Sequence, residues 1–160
     1  MITALDTNIL LDILIPDAPQ GEMSEKSLTH SLESGVVIIS EVVYTELAAH
    51  FSMRGQIDLF LEETGISLCS SSAEALYLAG RTWREYLRRR TNTSVCPSCG
   101  TTQELRCIEC GAVFVSRQHV IADFIIGAHA VTHADQLLTR DRGYYSTYYP
   151  DLQLTQFQKQ

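Results

Sequence analysis

Short apolar runs alternate along this chain with longer segments in which apolar residues recur at helical spacing. The strand-like runs lie at residues 2–5, 36–39, 66–69 and 136–139, and an edge strand is predicted at 152–157. One helix is expected after Ser40, and the other helical segments are residues 9–15, 24–34, 56–63, 71–90 and 117–132. Strands that alternate with helices predict an α/β fold, a three-layer α/β/α sandwich around a central parallel sheet.

Four acidic residues stand at points from which these elements could deliver them to one place. Asp6 follows the first strand and Asp141 follows the last inner strand. Glu46 lies in the helix after the second strand, and Asp123 interrupts an apolar helix. Ligands of parallel sheets bind outside the carboxyl ends of the strands. Converging carboxylates repel one another, and their oxygens suit Mg²⁺ or Mn²⁺, so metal-assisted phosphate chemistry is the hypothesis.

Each acidic residue also has a structural interpretation. Asp6 could cap the following helix, Glu46 could be an exposed helix residue, and Asp141 could be a turn residue. Asp123 is harder to explain in this way, because a lone carboxylate among apolar residues needs a partner. Asp12 lies six residues after Asp6 and is therefore expected to face solvent.

The cysteines have metal-ligand spacing. Cys96 and Cys99 form one C-x₂-C pair, Cys107 and Cys110 form another, and a glycine follows each pair. Four thiolates make a closed tetrahedral Zn²⁺ site with a structural role, and the segment resembles a zinc ribbon. Iron or a pair of disulfides is the alternative. The predicted domains are a main domain at residues 1–94 and 115–160 with the ribbon inserted at 95–114.

Composition and charge add one feature to this pattern. Of the 160 residues, 45% are apolar and the net charge is −7, which is typical of a globular protein and unfavourable for indiscriminate nucleic-acid binding. Residues 81–117 nevertheless contain seven arginines and three glutamates. This segment is either a solvated helix face or a contact surface for a nucleic acid, for which the candidates are Arg88, Arg89, Arg90 and Arg117.

Four short motifs together resemble a known family. They are Leu5-Asp6-Thr7-Asn8, Glu41-Val-Val-Tyr-Thr-Glu46-Leu, Ala122-Asp-Phe-Ile-Ile-Gly-Ala128 and Thr139-Arg-Asp141. In their order and spacing they resemble the motifs of PIN-domain ribonucleases, and the short chain is most similar to toxins of the VapC type. The resemblance implies that Asp6, Glu46, Asp123 and Asp141 bind the catalytic Mg²⁺ or Mn²⁺. Asn8 and Thr139 are polar neighbours that could orient a ligand.

The resemblance also implies partners, and it leaves alternatives open. The family usually forms homodimers, cleaves RNA, and is often inhibited by an antitoxin. Short PIN toxins typically lack a cysteine insert, so an RNA-processing nuclease without an antitoxin and a non-catalytic zinc-bearing binding module remain alternatives. The insert could clamp RNA or could only replace a loop. Since neither a signal peptide nor a membrane span is recognisable, we expect a cytoplasmic protein.

Overall fold

A computed structural model describes residues 1–89, 93–96, 98–114 and 120–155. In these residues the strands are β1 (Ile2–Leu5), β2 (Val36–Ile39), β3 (Ile66–Leu68), β4 (Ser94–Val95), β5 (Thr102–Gln103), β6 (Leu105–Arg106), β7 (Val113–Phe114) and β8 (Gln136–Leu138). The helices are α1 (Thr7–Leu14), α2 (Gly21–Ser34), α3 (Glu41–Ala48), α4 (Arg54–Thr64), α5 (Ala73–Arg89), α6 (Ile121–His133) and α7 (Arg142–Tyr148).

The central sheet has four parallel strands in the order β3-β2-β1-β8. Residues of its inner strands are almost completely buried, Val37, Ile39, Leu137 and Leu138 among them. Continuous apolar runs are typical of parallel strands that are covered on both faces. The predicted α/β fold with a central parallel sheet is therefore confirmed.

The connections between strands place the helices. The chain moves from β1 to β2 to β3 through α1 to α4, and then returns past β1 to β8 through α5 and α6. Such crossovers are right-handed. Because the chain runs toward β3 through α1 to α4 and toward β8 through α5 and α6, these two groups of helices lie on opposite faces of the sheet. The direction reverses between β1 and β8, and the carboxyl ends of these two strands therefore flank the natural crevice of the sheet.

A close approach of two segments closes the amino end of the sheet. The Val36 N–H donates to the Met1 carbonyl at 2.9 Å, at the start of β1 and β2. A Cβ atom at Gly35 would overlap the backbone of Met1, lying 2.9 Å from its nitrogen. Glycine therefore permits α2 to end directly beside β1.

Two of the predicted elements differ in the structure. In place of the predicted edge strand at 152–157, the structure has a single parallel bridge between Leu154 and Leu137, and residues 156–157 lie outside the described residues. The helix predicted from residue 117 is described from Ile121, since residues 115–119 lie outside the described part of the chain. No described helix is long and apolar enough to cross a membrane.

The cysteine segment forms two small antiparallel hairpins. Strand β4 pairs with β5, and β6 pairs with β7. The turn of each hairpin has a left-handed glycine, Gly100 with φ 73° and Gly111 with φ 72°. Their N–H groups donate to the carbonyls of Cys96 and Cys107, each at 2.9 Å. This is the backbone conformation for which glycine is favoured.

Candidate active site

Two of the four predicted acidic residues lie at the crevice between the carboxyl ends of β1 and β8. Asp6 directly follows β1, and its N–H donates to the Leu138 carbonyl at 3.1 Å. Asp141 lies three residues after β8 at the N-cap of α7, where its Oδ1 accepts from the Tyr144 N–H at 3.1 Å. The two carboxylates are thus delivered to the same end of the sheet.

The other two acidic residues reach this crevice from helices. Glu46 is in α3, and Asp123 is in the first turn of α6. All four line one cleft of about 490 Å³. The complete lining is Asp6, Thr7, Asn8, Leu11, Glu46, Ala49, His50, Asp123, Asp141 and Tyr145. Segments that are far apart in the chain therefore bring four carboxyl groups together.

Polar side chains orient the acidic groups. Asp6 Oδ2 accepts from Asn8 Nδ2 and from the Thr139 hydroxyl, both at 2.6 Å. The Thr139 hydroxyl in turn accepts from the Asp141 N–H at 3.0 Å. Thr7, which the sequence analysis had not singled out, donates a hydrogen bond to Glu46. Asn8 and Thr139 thus contact Asp6 as their position in the sequence suggested.

The electrostatics of the cleft are those of crowded carboxylates. Asp6 is only 6% exposed, and this burial is the largest reason why its pKa is raised to about 6. The hydrogen bond from Thr139 opposes the shift, while the negative charge of Asp123 adds to it. Asp6 is therefore costly to ionise unless a cation compensates the charge.

The donor chemistry of the cleft fits a hard divalent cation. Among the described residues, no three His, Cys, Asp or Glu side chains already surround one metal position. The carboxylates are bound to local donors instead, as Asp123 Oδ2 is to the Val120 N–H at 3.2 Å. Because Mg²⁺ keeps several waters when it binds, carboxylates on different walls of a cleft can hold it partly through water. Oxygen donors alone favour Mg²⁺ or Mn²⁺ over softer metals.

Asp12 is not solvated, and the expectation that it faces solvent was wrong. It is 8% exposed, and its Oδ2 lies 2.8 Å from Arg140 Nε. The spacing of six residues from Asp6 does not decide which neighbours Asp12 has. Asp12 is four residues after Asn8, on the same helix face, and this spacing is the signal that could have placed it beside the cleft.

His50 is a further cleft residue that was not predicted from the sequence. It follows α3 and lines the cleft four residues after Glu46. Among the described residues that line the cleft, His50 is the one whose side chain can become positively charged. Its spacing from Glu46 could have identified it.

The cysteines lie in two pairs, and the structure does not bring the four together around one point. All five cysteines of the chain are free thiols. Hydrogen bonding with the Thr101 hydroxyl is the largest of the effects that lower the pKa of Cys99 to about 7. Backbone N–H groups, that of Cys110 first, lower the pKa of Cys107. Each pair is therefore predisposed to form thiolate, the form that binds metal.

Two of the four predicted RNA-contacting arginines can be located. Arg88 and Arg89 lie exposed in the last turn of α5. Arg90 and Arg117 lie outside the described residues. A third basic residue of the segment 81–117, Arg106, forms a local ion pair, since its guanidinium lies 2.6 Å from the Glu104 carboxylate.

Three of the tyrosines after Asp141 are buried by packing, and one of them, Tyr145, also lines the cleft. Tyr144, Tyr145 and Tyr149 are between 1% and 5% exposed. Tyr149 donates from its hydroxyl to the Phe124 carbonyl at 2.6 Å. These residues hold α6 and α7 together, which keeps Asp123 and Asp141 at a fixed separation.

Known proteins share this fold. VapBC-1 from nontypeable Haemophilus influenzae matches with a TM-score of 0.62 and 18% identity over 99% of this chain and 100% of that chain. VapBC2 from Rickettsia felis, which was solved bound to a promoter DNA fragment, has a TM-score of 0.60 and 18% identity over 99% and 100%. FitAcB from Neisseria gonorrhoeae has a TM-score of 0.54 and 17% identity over 98% and 97%. A search of curated proteins finds no match.

The family is identified by a match to almost the whole chain. Residues 3–148 fit the family model described as the PIN domain. This range contains all four acidic residues of the cleft and every residue of the four parallel strands except Ile2. The chain therefore belongs to the PIN domain family.

Proposed function

We propose that this protein is a metal-dependent endoribonuclease that hydrolyses RNA phosphodiester bonds. Family membership supports a nuclease. The observation that carries the proposal is the convergence of Asp6, Glu46, Asp123 and Asp141 on one cleft at the reversal point of the sheet. Such a site has the charge and the ligand type for a divalent cation, and cation sites of this kind serve phosphoryl chemistry.

The residues of the chain have distinct tasks in this proposal. The four carboxylates bind Mg²⁺ or Mn²⁺, which would activate a water and neutralise charge that develops at the scissile phosphate. Thr139 and Asn8 hold Asp6, and Thr7 holds Glu46, so that the carboxylates keep their orientation. His50 stands at the cleft as a donor to substrate phosphate.

Substitution of single carboxylates tests the proposal. Asp123→Asn and Asp141→Asn keep side-chain shape but remove charge, and each should lower Mn²⁺-dependent RNA cleavage by at least about 100-fold. Asp151→Asn is the matched control, because Asp151 is exposed and does not line the cleft. The proposal fails if the cleft variants retain wild-type Mn²⁺-dependent cleavage in preparations that are free of contaminating nuclease.

We further propose that the nuclease is the toxin of a toxin–antitoxin pair in the cytoplasm and that it forms a homodimer. The VapBC and FitAcB likenesses motivate this assignment. Induced expression should arrest growth, and co-expression of a small neighbouring gene product should restore it. Sedimentation equilibrium of the purified chain tests the dimer. Cleavage without growth arrest favours the alternative, an RNA-processing nuclease, and binding without cleavage favours a non-catalytic module.

The cysteine segment is proposed to bind one structural Zn²⁺ through Cys96, Cys99, Cys107 and Cys110. Two similar turns and the lowered pKa values of Cys99 and Cys107 support this. The purified protein should contain one zinc per chain, and Cys99→Ser with Cys110→Ser should remove it. Cys69→Ser is the control, since Cys69 lies at the sheet beyond β3.

The cysteine segment, residues 95–114, and the basic end of α5 are proposed to contact RNA. Arg88 and Arg89 are exposed there, and Arg90 and Arg117 belong to the same basic stretch of sequence. Deletion of residues 95–114 with a short linker tests the contribution of the segment. Unchanged RNA affinity and cleavage position in the folded deletion variant would assign the segment the other role, that of a loop replacement.

A further inference from the structure

Arg140 is a basic residue between two residues of the acidic site. Its neighbours are Thr139, which bonds Asp6, and Asp141, which lines the cleft. The Arg140 N–H donates to Asn8 Oδ1 at 3.3 Å, and the Asn8 amide donates to Asp6. Two hydrogen bonds thus connect the backbone of Arg140 to a cleft carboxylate, and Arg140 directly precedes a second cleft carboxylate, Asp141.

The guanidinium of Arg140 is nevertheless held outside the cleft. Arg140 Nε lies 2.8 Å from Asp12 Oδ2, on the α1 face that continues one turn beyond Asn8. Arg140 is not among the residues that line the cleft. The ion pair therefore determines in which direction the positive charge of Arg140 points.

The Asp12 side chain is held in place by a second contact, a hydrogen bond from α2. Its Oδ2 accepts from the Ser24 hydroxyl at 2.7 Å, and Ser24 in α2 is completely buried. The Asp12 side chain is 9% exposed, whereas that of Arg140 is 43% exposed. Asp12 is thus the fixed partner, and Arg140 is the side chain with room to move.

We propose that Asp12 is a positioning residue that keeps the Arg140 guanidinium away from the acidic cleft. This inference rests on the proposed function, because it concerns the divalent cation at that cleft. Guanidinium pairs readily with carboxylates in a bidentate geometry. An Arg140 released from Asp12 would turn to the nearby carboxylates and compete with Mg²⁺ or Mn²⁺ for them.

This role predicts an asymmetry between the two partners of the ion pair. Loss of Asp12 frees a competing cation, so Asp12→Asn should weaken metal binding. Loss of Arg140 removes the competitor, so Arg140→Gln should bind metal at least as tightly as the wild type. A pair that only anchors the turn at residues 139–141 would instead make both substitutions equally harmful.

The experiment measures Mn²⁺ affinity of the full chain by electron paramagnetic resonance, without RNA and at neutral pH. Asp12→Asn should lower Mn²⁺ affinity roughly 10-fold or more, the usual effect of a residue that acts behind metal ligands. The double variant Asp12→Asn with Arg140→Gln should regain the affinity of Arg140→Gln alone. Asp151→Asn is the control, because Asp151 is exposed and does not line the cleft.

The outcomes separate this inference from the proposed function. Absence of Mn²⁺ binding by the wild type overturns both. Wild-type binding that Asp12→Asn does not change, or a double variant as weak as Asp12→Asn, overturns the positioning role alone. Urea unfolding verifies that each variant is folded, and Asp12→Ser replaces Asp12→Asn if the latter does not fold.

Discussion

At the scale of single residues, the main feature of the site is the free energy needed to ionise a buried carboxyl group. Burial, with a smaller contribution from the charge of Asp123, raises the pKa of Asp6 to about 6 from its ordinary value of 3.8. In the folded protein Asp6 therefore keeps its proton at pH values at which the unfolded chain has lost it. Stability from this group is present at low pH and is lost as pH rises through about 6.

The first prediction concerns the stability of Asp6→Asn. At pH 8 this variant should be more stable than the wild type by about 1–3 kcal/mol, because a buried charge is removed while the side-chain donors of Asn8 and Thr139 keep an acceptor. The gain should shrink as pH falls below 6. Urea unfolding at pH 5 and pH 8 measures it, with the exposed Asp151→Asn as control. An equal gain in the free energy of unfolding at pH 5 and at pH 8 would show that Asp6 does not carry the proposed charge.

His129 has the opposite dependence on pH. It is 1% exposed, and burial, followed by the charge of His133, lowers its pKa to about 4, while Glu41 opposes the shift. Its Nδ1 lies 3.2 Å from the Ser71 hydroxyl, and its Nε2 has no hydrogen-bond partner among the described residues. The folded protein thus binds fewer protons here than the unfolded chain between about pH 4 and 6.5.

The second prediction is that His129 causes part of the acid destabilisation. Stability should fall as pH is lowered from about 6.5 to 4, by up to roughly 3 kcal/mol from this group. His129→Asn keeps a polar atom near Ser71 and should flatten the unfolding free energy across this window. A wild-type slope that persists unchanged in His129→Asn would assign the effect to other groups.

At the scale of elements, packing between α6 and α7 fixes two of the cleft residues. Gly127 in α6 faces the ring of Tyr149, and a Cβ there would lie 2.6 Å from the ring atom Cδ2. Tyr149 is 4% exposed and bonded to the Phe124 carbonyl, so its ring has little freedom to move. A glycine inside a helix otherwise costs up to about 1 kcal/mol relative to alanine.

The third prediction compares two glycines in helices. Gly127→Ala should destabilise the protein by about 1–3 kcal/mol because the added methyl group overpacks the interface. Gly80→Ala in α5 has open space around it and should stabilise by about 0.5–1 kcal/mol. Thermal and urea unfolding of both variants measure the difference. Similar effects of the two substitutions would contradict the packing described for Tyr149.

The sequence predicted these elements well where periodicity decides them. The four strands of the parallel sheet and most helices follow from apolar spacing, and the positions of Asp6 and Asp141 follow from strand ends. The edge strand at 152–157 was not predictable from its apolar residues, because one bridge to Leu137 suffices to cover β8. The zinc ribbon stays a prediction, since the structure brings the cysteines together only in pairs.

At the scale of the whole molecule, topology unites groups that no local pattern connects. Asp12 and Arg140 are separated by most of the chain, and their ion pair depends on how α1, α2 and the end of β8 meet. The sequence shows that Asp12 shares a helix face with Asn8, but it does not show that Arg140 is the partner of Asp12. The acidic cleft was more predictable, because strand order and right-handed crossovers direct strand ends to one crevice.

The central claim is that four distant carboxylates share a divalent cation, and anomalous diffraction from crystals soaked in Mn²⁺ tests it most directly. If the carboxylates share a cation, an anomalous peak should lie inside the cleft lined by Asp6, Glu46, Asp123 and Asp141, and this peak should be lost in Asp6→Asn crystals. A cleft without a peak at saturating Mn²⁺, in crystals of protein that cleaves RNA, would contradict it.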